Sequence, residues 1–492
     1  MKNQVQLIAY VDRFSGGDLR ELQSLLDDGP LAGLFGGVHL LPFFLPIDGA
    51  DAGFDPIDHT QVDPRLGSWD DLRALAESTD LMADLIVNHI SSRSTQFTDF
   101  RTRGNASSYV FMFHTYGSIF PGGAAEAELL QIYRPRPGLP FTKVRLDDGT
   151  ERLLWTTFTP EQVDIDVRSS QGRRYLDQIL NQFQNAGIRS IRLDAAGYAI
   201  KKRGTSCFMI PETFDFIDEL TRRAHERGIE VLVEIHSHYL EQIQIATRVD
   251  WVYDFALPPL VLHALYTSDT RRFKEWLKIR PSNAVTVLDT HDGIGVIDVG
   301  PDRKCPDGPP GLLAPEEIDK LVETIHQRSN GESLQATGAA ASNLDLYQIN
   351  CTFYDALGRR DDDYLIARAI HFFTPGVPQV YYVGLLAGTN DLDLLRRTGV
   401  GRDINRHYYT RAELCERLDA SLVRSLLDLV RFRNSHPAFA GDFHVANSDN
   451  SSLVMEWRKH RDWARLEVDL AARRALISHS DAAGDRTKAL VR

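Results

Sequence analysis

Eight short apolar runs constrain this chain more than any other feature. They are Val5–Tyr10, Val38–Phe44, Leu81–Asn88, Arg189–Asp194, Glu230–His236, Asp250–Phe255, Ala284–Thr290 and Pro378–Val383. Most are nearly continuous in apolar residues, as strands covered on both faces of a parallel sheet must be. Helical patterns lie between several of them. Ser170–Ala186 puts Tyr175, Leu176, Ile179, Leu180 and Phe183 on one face and ends at Gly187; Glu212–Arg227 does the same with Phe214, Ile217, Leu220 and Ala224 and ends at Gly228. Eight strands alternating with helices predict an α/β fold, a (β/α)8 TIM barrel built from residues 1–88, 169–293 and 360–435.

Two connections are too long for ordinary barrel loops. Residues 89–168 and 294–359 both follow a strand's C-terminal end, where barrel enzymes build their sites, and read as inserted subdomains. After a helix predicted over Ala412–Asn434, the segments Asp442–Asn447, Ser452–Trp457 and Trp463–Leu470 alternate polar with apolar. That is the pattern of an antiparallel sheet with one wet face, so residues 436–492 are expected to form a small C-terminal β domain, with the basic tail from Ala471 peripheral to it.

Composition removes several classes of function. The 492 residues carry a net charge of −13 without basic blocks, which disfavours nucleic acid and anionic membranes as partners. No apolar run is long enough to span a bilayer, and the N-terminus reads as a strand rather than an export signal. The four cysteines, Cys207, Cys305, Cys351 and Cys415, are widely spaced with no CxxC pair, so the expectation is reduced thiols in a cytoplasm and no zinc site.

Chemistry concentrates at the strand ends. Ile191-Arg192-Leu193-Asp194 places Arg192 and Asp194 on one face, so the guanidinium is expected to keep Asp194 ionised, as a nucleophile requires. Val231-Leu232-Val233-Glu234 ends in a second acid whose apolar strand is expected to raise its pKa, which suits a general acid. Asp289-Thr290-His291-Asp292 brings a third acid and an imidazole, and Asn88-His89 ends an earlier strand. Any one strand-end acid is commonly a structural ion pair or a helix cap; three at three ends of one barrel are not readily coincidental. Two close carboxylates flanking a glycosidic bond perform retaining glycosyl transfer, one as nucleophile and one as acid/base.

The four strand ends DLIVNH, IRLDAAGY, VEIH and LDTHD together resemble the signature regions of the α-amylase family of glycoside hydrolases and transglycosidases. Within it, the chain is similar to phosphorylases that transfer a glucosyl group from sucrose to phosphate. The similarity runs from the N-terminus to about residue 435. Its most specific stretches include DGADAGFDPIDHT (Asp48–Thr60), IYRPRPGLPFT (Ile132–Thr142), VLDTHDGIGVID (Val287–Asp298), ATGAAASNLDLYQIN (Ala336–Asn350), PGVPQVYYVG and GRDINRHYY (Gly401–Tyr409).

The resemblance implies that Asp194 is the nucleophile, Glu234 the general acid/base and Asp292 the transition-state stabiliser. His89, Arg192 and His291 would line the glucosyl subsite, Asp51 and Arg402 would grip the far hydroxyls of glucose, and Phe54 and Phe158 would flank the ring. Tyr133, Arg136, Tyr198, His236, Leu344, Asp345, Tyr347 and Gln348 match positions that hold fructose or phosphate. Substrates and products would be sucrose, inorganic phosphate, fructose and glucose 1-phosphate. Neither cofactor nor metal is implied, and a homodimer stays open. Sister phosphorylases acting on sucrose 6′-phosphate, glucosylglycerol or glucosylglycerate, or a hydrolase of α-glucosides, would share the three acids. Leu344–Asn350 holds no Lys, Arg or His, which favours a neutral acceptor over a phosphorylated one. Arg136 is suited to bidentate contact with phosphate, and Arg134 either adds to it or faces solvent.

Overall fold

The computed structural model describes residues 1–14, 16–49, 51–302, 308–337, 348–481 and 484–491. Eight parallel strands close into a barrel: β1 Gln6–Ala9, β2 Val38–Leu40, β3 Leu81–Ile86, β4 Ser190–Asp194, β5 Glu230–Val233, β6 Trp251–Asp254, β7 Ala284–Thr286 and β8 Val377–Tyr381. Each overlaps one of the eight apolar runs, β8 starting one residue before its run. Nearly every residue of these strands is buried, because the barrel interior is packed on one side and the helices cover the other.

The helices form where the sequence puts an apolar stripe behind a capping residue. Ser170–Asn185 starts at Ser169, whose hydroxyl accepts from the Gly172 amide, and buries Tyr175, Leu176, Ile179, Leu180 and Phe183. Pro211–His225 opens on a proline and buries Phe214, Ile217 and Leu220. The helix expected over Ala412–Asn434 is instead two helices, Arg411–Asp419 and Ser421–Ser435. The pattern of buried leucines continues across the joint, but Ala420 is extended (φ −63°, ψ 140°), so each half turns its own stripe inward.

Both long connections leave the barrel at its C-terminal rim. The first returns when His89–Ser91 pairs antiparallel with Gln162–Asp164, with His89 opposite Asp164. It also holds a hairpin, Phe141–Arg145 with Glu151–Trp155. In the second, Ile294–Gly295 pairs antiparallel with Gln348–Ile349, and Pro315–Arg328 is helical.

The C-terminal sheet has five antiparallel strands: β9 Asp442–Val445, β10 Ser452–Lys459, β11 Asp462–Asp469, β12 Arg474–His479 and β13 Arg486–Val491. The last two correct the expectation of a peripheral tail. Ala475, Ile477 and Val491 point inward and are buried, and a few alternate apolar residues suffice for an outer strand among charged neighbours. Arg473 also anchors the tail, 2.6 Å from the buried Asp363. Among the described residues, no helix is long and apolar enough to cross a membrane.

Candidate active site

Arg192 organises the barrel mouth. It pairs in register with Asp84 of β3, and its Nη1 lies 2.6 Å from Asp84 Oδ1 and 3.0 Å from Asp194 Oδ1. Its Nη2 reaches Glu234 Oε1 at 3.3 Å. One buried guanidinium thus serves three carboxylates, which corrects the expectation that it would hold Asp194 ionised. Burial pushes the Asp194 carboxyl well up; Arg192 opposes this, while Glu234, Asp84 and Asp292 add to it.

Glu234 follows the last residue of β5. Its strand neighbours Val231 and Val233 are buried among apolar groups, but its own surroundings are polar, contrary to expectation. Oε2 accepts from the Ala195 amide at 3.3 Å, and Oε1 lies 3.8 Å from His236 Nε2. Alternation explains the contrast: the carboxylate is the first group of the strand to emerge from the packed core.

Asp292 closes the triad. Arg402 Nη1 is 2.8 Å from its Oδ1. Burial opposes its charge, yet Arg402, with help from Arg192 and the nearby imidazoles, holds the carboxyl far below the usual range. Asp51 shows the same balance, with burial outweighed by Arg402 and Arg406. Arg406, which sequence reasoning missed, is fully buried. It donates from Nε to the His291 carbonyl at 3.0 Å and lies 3.6 Å from Asp51 Oδ1. Its signal was present in GRDINRHYY, where it stands four residues beyond Arg402, just past a short 3-10 helix over Gly401–Asn405.

Asp194, Glu234, Asp292, Asp51 and Arg402 face one cavity of about 670 Å³, counting its open mouth. Arg192, expected in the glucosyl subsite, and Arg406 do not line it and act through the carboxylates they hold. The size suits a small molecule rather than a polymer. On the glucosyl side Asp51, Phe54, His89, Phe158, His291 and Arg402 line it beside the three acids. Phe54 stacks on His291 at 4.6 Å. Burial keeps the His291 imidazole neutral down to about 3. His89 Nε2 donates to the Phe54 carbonyl at 2.9 Å and lies 3.1 Å from the side-chain amide of Gln162, a lining residue the sequence reading did not select.

Arg136, Tyr198 and His236 form the opposite wall, joined by Phe208, also not selected. Tyr133 stands behind, stacked on Tyr198 with centroids 6.2 Å apart. Gln348 is buried beside the cavity, its Oε1 accepting from the Gly293 amide at 3.3 Å. Leu344, Asp345 and Tyr347 lie outside the described residues, as do Cys305 and the small-residue segment at 338–343.

Arg134 is half-buried at the surface and does not line the cavity. It donates to the carbonyls of Thr157 (2.8 Å), Pro137 (2.8 Å), Leu139 (2.7 Å) and Phe158 (3.2 Å). It is a staple that sets the loop carrying Arg136. Lys201, unselected as well, is a second staple. Its buried ammonium contacts Asp164 Oδ2 and Asn88 Oδ1, each at 2.7 Å, and the Tyr198 carbonyl. It joins the first inserted segment to the rim of the barrel.

Glu234, His236 and Asp292 are the one group of three metal-type side chains converging among the described residues, with ligand atoms within 4.8 Å of one another. Arg192 and Arg402 already bring positive charge to both carboxylates, so the donor set does not fit a resident cation.

A closed parallel barrel with paired acids on one guanidinium and a third acid held ionised defines a carbohydrate-active enzyme of the α-amylase class. The α-amylase catalytic-domain family matches residues 17–256. The chain is 63% identical over 480 residues to a sucrose phosphorylase of Agrobacterium vitis, covering 98% of each chain. It is 52% identical to a sucrose phosphorylase of Bifidobacterium adolescentis, over 99% of this chain and 97% of the other. The crystal structure of a sucrose 6F-phosphate phosphorylase from Thermoanaerobacter thermosaccharolyticum superimposes with a TM-score of 0.91 at 39% identity, covering 99% of this chain and 98% of that one. The chain belongs to the sucrose phosphorylase family.

Proposed function

We propose that this enzyme is a hexosyltransferase that moves a glucosyl group from sucrose to phosphate, giving α-D-glucose 1-phosphate and D-fructose with retention. The observation that carries the reading is full-length likeness at 63% to a protein of that activity, in a chain whose acids converge on one cavity.

In this reading Asp194 attacks the anomeric carbon of sucrose while Glu234 protonates the departing fructose oxygen. Positive charge developing on the sugar favours the ionised form of Asp194, against the burial that raises its pKa. The ionised Asp292 faces the same charge. A β-glucosyl-enzyme forms. Phosphate then attacks from the side fructose has left, and Glu234 takes back a proton, so two inversions give retention. Asp51 and Arg402 close the glucosyl end of the cavity. Arg136 and His236 bring positive or hydrogen-bonding groups to the acceptor end, offsetting the field of a chain with net charge −13. Cys207, Cys351 and Cys415 are free thiols, which supports placing the enzyme in a reducing compartment such as the cytoplasm.

Incubation with sucrose, with and without phosphate, tests the reading. Glucose 1-phosphate and fructose should appear together when phosphate is present. Release of free glucose at the same rate with and without phosphate would mean a hydrolase. Turnover of sucrose 6′-phosphate, glucosylglycerol or glucosylglycerate in preference to sucrose would mean a sister phosphorylase.

A further inference from the structure

The loop after β7 holds a fourth buried acid that the three catalytic assignments leave unused. Asp298 is fully buried. Its Oδ2 lies 2.9 Å from His236 Nδ1, and its Oδ1 accepts from the Ser237 amide at 3.2 Å and from Gln242 Nε2 at 3.0 Å. The carboxylate is therefore fixed from three directions. The ring is fixed too, because Phe255 stacks on His236 with centroids 3.9 Å apart and planes 17° from parallel.

Gly295 makes this approach possible. A Cβ at that position would sit 2.2 Å from Asp298 Oδ2, too close for the carboxylate to stay, and 3.1 Å from His236 Nδ1, a tight contact. With Nδ1 turned to Asp298, the other ring nitrogen is presented toward Glu234, 3.8 Å from Oε1. A ring nitrogen whose partner is a buried carboxylate has its orientation and tautomer set by that carboxylate.

We propose that Asp298 is a positioning residue for the acceptor step: through His236 it holds a protonated imidazole beside Glu234, where the charge draws in the anionic acceptor together with Arg136. This rests on the acceptor-side reading of His236 given above. The groups facing the imidazole are Asp298 and Asp292 from the segment after β7, Glu234 from the end of β5, and the uncharged Phe255 from the end of β6. Burial opposes the charge on His236, but Asp298 first, then Glu234 and Asp292, outweigh it and raise its pKa. A raised pKa keeps the cation present to higher pH, so removing the charge of Asp298 makes the cation disappear at lower pH.

The test compares Asp298→Asn with the parent enzyme in phosphorolysis and in sucrose hydrolysis without phosphate, across about pH 5 to 9. Phosphate's own titration is common to both proteins and cancels. The expected result is a fall of about one unit in the alkaline limb of kcat/KM for phosphate, with phosphate KM rising about tenfold above it. Hydrolysis should change several-fold less. Equal losses in both reactions with an unmoved limb would overturn the proposal, since a purely structural role gives that pattern. An NMR titration of His236 in the full-length parent, assigned by its loss in His236→Gln, provides a check independent of how the Asn variant folds. An imidazole titrating at or below the ordinary histidine value overturns the proposal as well. His236→Gln separates the two layers. An unchanged phosphate KM there removes the acceptor-side reading itself, whereas a raised one alongside an unaffected Asp298→Asn removes only the role of Asp298.

Discussion

Glu234 accepts a hydrogen bond from the amide of Ala195, the residue that follows Asp194, at 3.3 Å. The contact ties the acid at the end of β5 to the peptide that carries the proposed nucleophile at the end of β4. Ala195 adopts a left-handed conformation (φ 55°) to present that amide, which L-residues other than glycine rarely do. Such departures cluster where geometry serves a site.

Asp194→Asn should abolish sucrose turnover, lowering kcat by three or more orders of magnitude, on the order of what removing a nucleophile costs. Stability should not suffer. Burial raises the folded-state pKa of Asp194, so its charge opposes folding near neutral pH, and a neutral isostere removes that cost. Thermal melts should show an unchanged or higher midpoint. Unimpaired turnover by the verified variant would remove the nucleophile assignment.

Glu234→Gln removes the proton donor for fructose but leaves Asp194 in place. A glucosyl fluoride, whose leaving group needs little protonation, should still glucosylate the protein, as mass spectrometry would show. Azide, which needs no base, should then restore the second step. The role fails if this variant cleaves sucrose as fast as the parent.

Arg136→Ala should impair phosphorolysis far more than hydrolysis, because water needs no guanidinium. A charged hydrogen bond to an anion is worth about 1.5–3 kcal/mol, so phosphate KM should rise by roughly one to two orders of magnitude. Parallel initial-rate measurements with and without phosphate decide it. Arg134→Ala should act differently, lowering both rates by loosening the four carbonyls it holds.

Lys201→Met leaves Asp164 buried without its ammonium partner. Breaking a buried pair on one side costs about 3–5 kcal/mol. Chemical denaturation should show a loss of that order, and activity should fall with it because the ammonium also holds the Tyr198 carbonyl. A loss below about 1 kcal/mol would mean that water replaces the ammonium.

Acid should destabilise the protein before most carboxylates titrate. Burial lowers His59 from 6.5 to about 4, and His291 and His371 to about 3. The unfolded chain binds protons at these imidazoles below about pH 6.5 that the folded chain refuses, so stability present above that pH is lost as it falls. Each such group contributes up to about 1.4 kcal/mol per pH unit between roughly pH 6 and 4. The raised carboxyl of Asp194, which takes up its proton in the folded state over the same window, works in the opposite direction and offsets part of the loss. Denaturation midpoints that stay flat across this window would contradict neutral burial of these rings.

The barrel was legible in the sequence because burial on both faces leaves an unbroken apolar run, and eight such runs with helical stripes between them admit few other arrangements. The acids were legible for the same reason: Asp194, Glu234 and Asp292 stand where an apolar run stops and the chain leaves the core. The C-terminal strands β12 and β13 were not, since only Ala475, Ile477 and Val491 mark their inner face and the rest is charged.

Charge partners belong to the tertiary structure alone. Nothing local links Arg192 to Asp84, 108 positions away, or Lys201 to Asn88 and Asp164, or His236 to Asp298. Sequence spacing tells which side of its own strand a residue faces, but not what the neighbouring strand or loop sets against it. That depends on register and closure, and electrostatic energy follows distance through space. The chain by itself determined which residues reach the barrel mouth; the fold decided that one arginine would be divided among three acids there, and so which of them burial and charge drive toward its proton.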